Sequence, residues 1–137
     1  MPHHQVTKVI HFSYGHRLIN YDGPCRHLHG HNGMIEIDVA SDALDAHGMV
    51  IDFRELRESV KGWVDANLDH RMLLCRDDPA VAMLRALNEP MYLLDGNPTA
   101  ENIAREIFNK TREHGLAISE VRLWETPSSY AVYRDQA

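Results

Sequence analysis

Apolar and polar residues alternate near both ends of the chain and recur at helical spacing between them. Residues 5–14 (QVTKVIHFSY) are rich in β-branched and aromatic types and read as a strand. From His31 to Val39, the apolar Ile35, Ile37 and Val39 alternate with Glu36 and Asp38, the pattern of a half-buried strand. Residues 17–28 between them carry the turn signal Asp22-Gly23-Pro24, so the two strands are expected to pair as a hairpin. Asp52 opens a helix, with Glu55 three residues on in a capping-box arrangement. Phe53, Leu56, Val60, Trp63, Val64 and Leu68 form its apolar stripe. Residues 75–98 are less regular and hold Pro79 and Pro90, with a short helix expected around 80–87. Asn97-Pro98-Thr99 starts a second long helix, whose buried face is Ile103, Ile107 and Phe108 and whose stop is Gly115. Residues 118–125 alternate again, and 130–134 form a last short strand. The order ββααββ predicts an α+β sandwich of one sheet and one helical layer.

Composition narrows the class of function. The 137 residues suit a single domain spanning 1–137. With 44% apolar and 25% charged residues, disordered and fibrous classes are excluded. No apolar run approaches the length of a membrane span, and MPHHQVTKVI does not read as a secretory signal. Two cysteines make no disulfide framework, so a reducing cytoplasm is expected. The net charge is −6 and the Lys and Arg residues are scattered, so neither nucleic acid nor an anionic membrane is expected as the main partner. Ten histidines, several of them clustered, point instead to a metal.

The cluster is Cys25-Arg26-His27-Leu28-His29-Gly30-His31. His29 and His31 lie two apart at the entry to a strand, so both side chains leave the same face of the pleat. Their parity matches Ile35, Ile37 and Val39, which directs them toward the packed side. His16, ending the first strand, is the third candidate ligand through the hairpin. Three neutral imidazoles and an open position make a catalytic zinc site, with metal–nitrogen distances of about 2.0–2.1 Å. With Cys25 as a fourth ligand the site would be closed and structural; with no metal, the histidines simply cap a turn. His27 fits the solvent or the surroundings of the site. His3, His4, His11, His47 and His114 read as ordinary surface or edge histidines, and Cys75 as a small buried residue. Asp69-His70 ends the first helix; the carboxylate can fix the imidazole's tautomer for acid–base work, or the pair can merely cap the helix. Glu125 shares the inward parity of Val121 and Leu123, so its carboxylate needs a donor partner or a ligand.

Taken in order, His11-Phe12-Ser13, His16-Arg17-Leu18, Cys25-x-x-x-His29-Gly30-His31-Asn32, Gly48-Met49-Val50-Ile51-Asp52-Phe53, Leu68-Asp69-His70, Pro98-Thr99-Ala100-Glu101-Asn102 and Trp124-Glu125-Thr126 resemble the 6-pyruvoyltetrahydropterin synthase / 6-carboxytetrahydropterin synthase family, over residues 7–134. The resemblance implies a tunnelling fold: a four-stranded antiparallel sheet with two helices between strands two and three, trimers closing a barrel, and two trimers in a homohexamer. It implies 7,8-dihydroneopterin triphosphate as the pterin substrate and active sites between subunits. It assigns zinc to His16, His29 and His31, the catalytic base to Cys25, a proton-relay pair to Asp69 and His70, and the pterin grip to Glu125 beside Thr126. Three residues between Cys25 and His29 resemble the 6-carboxy type of the queuosine pathway, which releases triphosphate and acetaldehyde; the 6-pyruvoyl type, which does not cleave the side chain, is the alternative. Arg17, Arg26 or a neighbouring subunit's base is expected to meet the triphosphate. The chain departs from the family pattern at Tyr14-Gly15, where a small pair is usual, at Gly33, where an aromatic residue is common, and in a long 75–97 segment.

Overall fold

The computed structural model describes residues 2–134. Two thirteen-residue strands dominate it, β1 (His4–His16) and β2 (His29–Ser41). They pair antiparallel along their whole lengths, with His4 opposite Ser41 at one end and His16 opposite His29 at the other. After β2 come α1 (Phe53–Asn67), β3 (Arg71–Cys75), α2 (Ala80–Ala86), β4 (Met91–Leu94), α3 (Ala100–Glu113), β5 (Glu120–Thr126) and β6 (Ser129–Arg134).

The sheet order is β4-β3-β1-β2-β5-β6. The expected four-stranded antiparallel sheet is therefore corrected to a mixed sheet of six. Its four antiparallel members are the four strands expected from the sequence; the two extra ones, β3 and β4, join the β1 edge in parallel. The expected order ββααββ becomes ββαβαβαββ, with three helices rather than two between the second and the last two antiparallel strands. The extra strands escaped the sequence pattern for a physical reason. RMLLC and MYLL are short apolar runs without alternation, as parallel strands covered on both faces are, and Leu73, Leu74 and Cys75 are all buried.

One face of the sheet carries the core. Ile10, Phe12 and Tyr14 of β1 and Ile35, Ile37 and Val39 of β2 are buried there, with α1 packed on β1 and α3 on β5 and β6. Leu56, Val60, Val64 and Leu68 make the α1 stripe, each burial stabilising by roughly 1.5–3 kcal/mol. Phe53, at the head of that stripe, remains exposed in the first turn. Asp52 caps α1 by accepting the Arg54 N–H. At the other end His70, at φ 59°, turns the chain from α1 into β3. Thr99 caps α3 by accepting the Asn102 N–H, and Gly115 at φ 90° ends it. No helix among the described residues is long and apolar enough to cross a membrane.

Candidate metal centre

The β1–β2 register sets the site. His16 sits directly opposite His29, and His31 faces Tyr14 one step further along the ladder. All three imidazoles leave the core-facing side of the sheet at the mouth of the hairpin, their ring centroids 4.6–5.0 Å apart. Glu125 comes to the same point from β5, with Oε1 3.1 Å from His16 Nε2 and 3.0 Å from His31 Nε2. One ligand atom from each of His16, His29, His31 and Glu125 lies within 4.8 Å of the others, a group that can hold a metal ion.

The donor set fits a cation. His16 Nδ1 lies 2.7 Å from the Pro98 carbonyl oxygen, and His29 Nδ1 lies 2.7 Å from that of His27. A carbonyl only accepts, so both Nδ1 atoms carry the proton and both Nε2 lone pairs remain for a metal. Burial lowers the pKa of His16, against the raising effects of Pro98 and Glu125, which favours the neutral imidazole. Lone pairs from His16 and His29 and a carboxylate thus converge with at most the His31 Nε2 proton between them. A divalent cation satisfies that arrangement, and three nitrogens with one oxygen suit zinc.

The groups that orient these imidazoles belong to residues that the sequence marked for other reasons. Asn97 clamps the chain leaving β1, its amide donating to the Ile19 carbonyl and accepting the Ile19 N–H. Asn102 donates to the Asn97 carbonyl, so the turn opening α3 holds the Pro98 oxygen against His16. The sequence marked Asn97-Pro98-Thr99 as a helix start, and Pro98-Thr99 as part of a family motif, but gave neither a part in orienting His16. His27, which had no assigned task, supplies the carbonyl that fixes His29 while its own side chain stays exposed.

Asp69 and His70 form the expected pair, with His70 Nδ1 donating to Asp69 Oδ2 at 2.8 Å. The other carboxylate oxygen accepts the Ser13 N–H at 2.9 Å, which ties the pair to β1. Burial pushes the Asp69 carboxyl up, but the hydrogen bonds from Ser13 and His70 outweigh it and hold the pKa below its ordinary value. His70 borders a cleft of about 750 Å³ together with His29, His31, Tyr14, Asn32 and Leu28. Cys25 sits half-buried in a short 3-10 turn, Pro24–Arg26, outside both the four-residue group and the lining of that cleft. Glu125, not Cys25, stands as the fourth member of the group. Thr126 is exposed at the end of β5, within 3.3 Å of Ser128 Oγ. Arg17 is already engaged: its guanidinium makes two bonds to the buried Asp78 carboxylate. Arg26 donates to the Gly23 carbonyl at 3.1 Å.

The two departures beside the histidines are coupled. A Cβ at Gly33 would stand 2.7 Å from a Phe12 ring carbon and 2.9 Å from one of Tyr14. Gly33 therefore leaves room for the stacked Phe12–Tyr14 pair on the neighbouring strand, with ring centroids 4.9 Å apart. Tyr14 lies edge-on to His16, and its buried hydroxyl has no hydrogen-bond partner among the described residues. Burial, and then the charge of Glu125, push its pKa up, so the phenol stays a protonated donor.

The chain matches the profile of the 6-pyruvoyl tetrahydropterin synthase family over residues 5–136. A 6-carboxy-5,6,7,8-tetrahydropterin synthase of Rickettsia bellii is 38% identical over 133 residues, covering 92% of this chain and 96% of that protein. One from Haemophilus influenzae is 33% identical over 139 residues, covering 96% and 99%. Among solved structures, the 6-pyruvoyl tetrahydropterin synthase of Caenorhabditis elegans superposes with a TM-score of 0.74 at 23% identity, covering 96% of this chain and 95% of that one. This chain belongs to the 6-pyruvoyl tetrahydropterin synthase family.

Proposed function

We propose that the protein is a zinc-dependent lyase that converts 7,8-dihydroneopterin triphosphate to 6-carboxy-5,6,7,8-tetrahydropterin, releasing triphosphate and acetaldehyde. The observation that carries this reading is the convergence of His16, His29 and His31 beside Glu125, with two imidazoles oriented by backbone carbonyls. The names of the relatives from Rickettsia bellii and Haemophilus influenzae support the carboxy product.

In this reading His16, His29 and His31 would hold the metal, which when bound would supply Lewis acidity toward the substrate's side-chain oxygens and so make the neighbouring C–H more acidic. Cys25 takes that proton as its thiolate. Asp69 accepts the Nδ1 proton of His70, which lines the cleft, and so leaves Nε2 to carry protons to and from the reacting carbons. Glu125 receives the N–H groups of the pterin edge through its two oxygens, the bidentate, charge-assisted mode, with Thr126 beside it. Cys25 lies outside the four-residue group and outside the lining of the cleft in a single chain, which is in keeping with sites completed between the subunits of a homohexamer; the enzyme is read as cytoplasmic.

Two variants test these assignments. Cys25→Ala is expected to keep one zinc per chain and lose turnover, whereas His29→Ala loses the zinc. Loss of zinc from Cys25→Ala would make the cysteine a ligand and overturn its role as base.

A further inference from the structure

Glu125 cannot give the same oxygen to a metal and to a pterin at once, yet its carboxylate lies among the imidazoles. Oε1 is 3.0 and 3.1 Å from the Nε2 atoms of His31 and His16. We propose that Glu125 is the fourth metal ligand of the substrate-free protein and gives up that position when substrate arrives. This inference rests on the metal reading of the histidine cluster.

Four features make Glu125 the exchangeable member of the set. His16 is 2% exposed and held by the Pro98 carbonyl, and His29 is held by that of His27, whereas the Glu125 side chain is 26% exposed. The polar partners of its carboxylate among the described residues are the imidazoles themselves. The β5–β6 ladder shifts register between Trp124 and Thr126, so Glu125 stands at a bulge, outside the paired positions on either side. Bulges re-aim a side chain and loosen its backbone from the ladder, and they concentrate beside active sites. Glu125 also borders a separate hollow of about 320 Å³ shared with Ala100, Glu101 and Tyr130, giving the carboxylate space outside the cluster.

The exchange is balanced without redox change. The bond from the Glu125 carboxylate breaks, the carboxylate leaves as the anion, and an oxygen of the incoming ligand takes the vacated position. The freed carboxylate is then available to the N–H groups of the same ligand. The resting site is closed by three histidines and one carboxylate, and it opens only when a pterin is present to receive Glu125.

The test uses Co2+ as the metal probe and 7,8-dihydroneopterin, which lacks the triphosphate, as the ligand. Affinity is measured by competition with a chelator, and geometry by the visible bands of the Co2+ protein. Glu125→Gln is expected to bind Co2+ at least about 10-fold more weakly, since even partners of metal ligands are worth about 10–100-fold in affinity. The wild-type bands are expected to shift on adding 7,8-dihydroneopterin, toward a spectrum that Glu125→Gln shows without it. Glu125→Asp, which keeps the charge but shortens the reach, is expected to fall between the two and serves if the Gln variant does not fold. Equal affinities for wild type and both variants, with His29→Ala still losing Co2+, would overturn the role of Glu125 and leave the histidine site standing. Absence of Co2+ binding by the wild type would overturn the metal reading itself.

Discussion

Replacing Tyr14 by Phe deletes one oxygen from the wall of the proposed active site, and the structure sets the size of the effect. Tyr14 is 3% exposed, its ring is stacked on Phe12, and its hydroxyl has no partner among the described residues. A buried hydroxyl left without a hydrogen bond costs about 1–3 kcal/mol of folding stability. Phe keeps the ring contacts and removes that cost, so Tyr14→Phe is expected to stabilise the fold by about 1–3 kcal/mol. An unfolding entropy of about 2.1 cal/mol/K per residue over 137 residues gives about 0.29 kcal/mol/K, so the midpoint should rise by about 3–10 °C. The assay is thermal unfolding by circular dichroism on chelated protein at one fixed concentration, which removes the metal contribution and holds that of assembly constant. A midpoint that fell or stayed level would mean that the hydroxyl holds a hydrogen bond in solution, and the account of Tyr14 as an unsatisfied donor would be wrong.

Gly33→Ala is expected to cost about 1–3 kcal/mol in urea unfolding, because the new Cβ meets Phe12 at 2.7 Å and Tyr14 at 2.9 Å. The penalty should shrink in a Tyr14→Ala background; an unchanged penalty would uncouple the two positions. Asp78 gives an acid-dependent term: its hydrogen bond from Arg17 is the main cause holding the carboxyl below the usual range, with help from the Ala80 N–H and against burial. A depressed native pKa contributes stability that is complete above the unfolded value of about 3.9 and is lost as pH falls through the native value. Asp78→Asn should therefore flatten the loss of stability below about pH 4 and cost about 3 kcal/mol or less at neutral pH, since Arg17 is partly exposed. An acid profile identical to the wild type would remove Asp78 from the account.

The histidine pair was legible because a strand has period two: His29 and His31 had to share a face with Ile35 and Ile37, and the hairpin had to bring His16 across. The structure adds the register, His16 opposite His29, which the turn alone did not specify. Parity also placed Glu125 on the inward face, but parity gives a face and no distance, so its arrival 3 Å from two imidazoles was not foreseen. The carbonyls of Pro98 and His27 escaped detection because every residue type carries a backbone oxygen. β3 and β4 escaped because their short apolar runs have no period to read. Asp69-His70 was visible as neighbours, while the Ser13 N–H that anchors it comes from a strand 56 residues away. The Tyr14 and Gly33 departures made sense only once Phe12 and Gly33 were seen as opposite partners in the β1–β2 ladder.

The decisive measurement is to incubate the zinc-loaded protein with 7,8-dihydroneopterin triphosphate and identify the products by mass. A 6-carboxy-5,6,7,8-tetrahydropterin synthase yields 6-carboxy-5,6,7,8-tetrahydropterin, with one acetaldehyde and one triphosphate released per turnover. A 6-pyruvoyl product without acetaldehyde, or no turnover by protein carrying its full zinc, would contradict the proposed function.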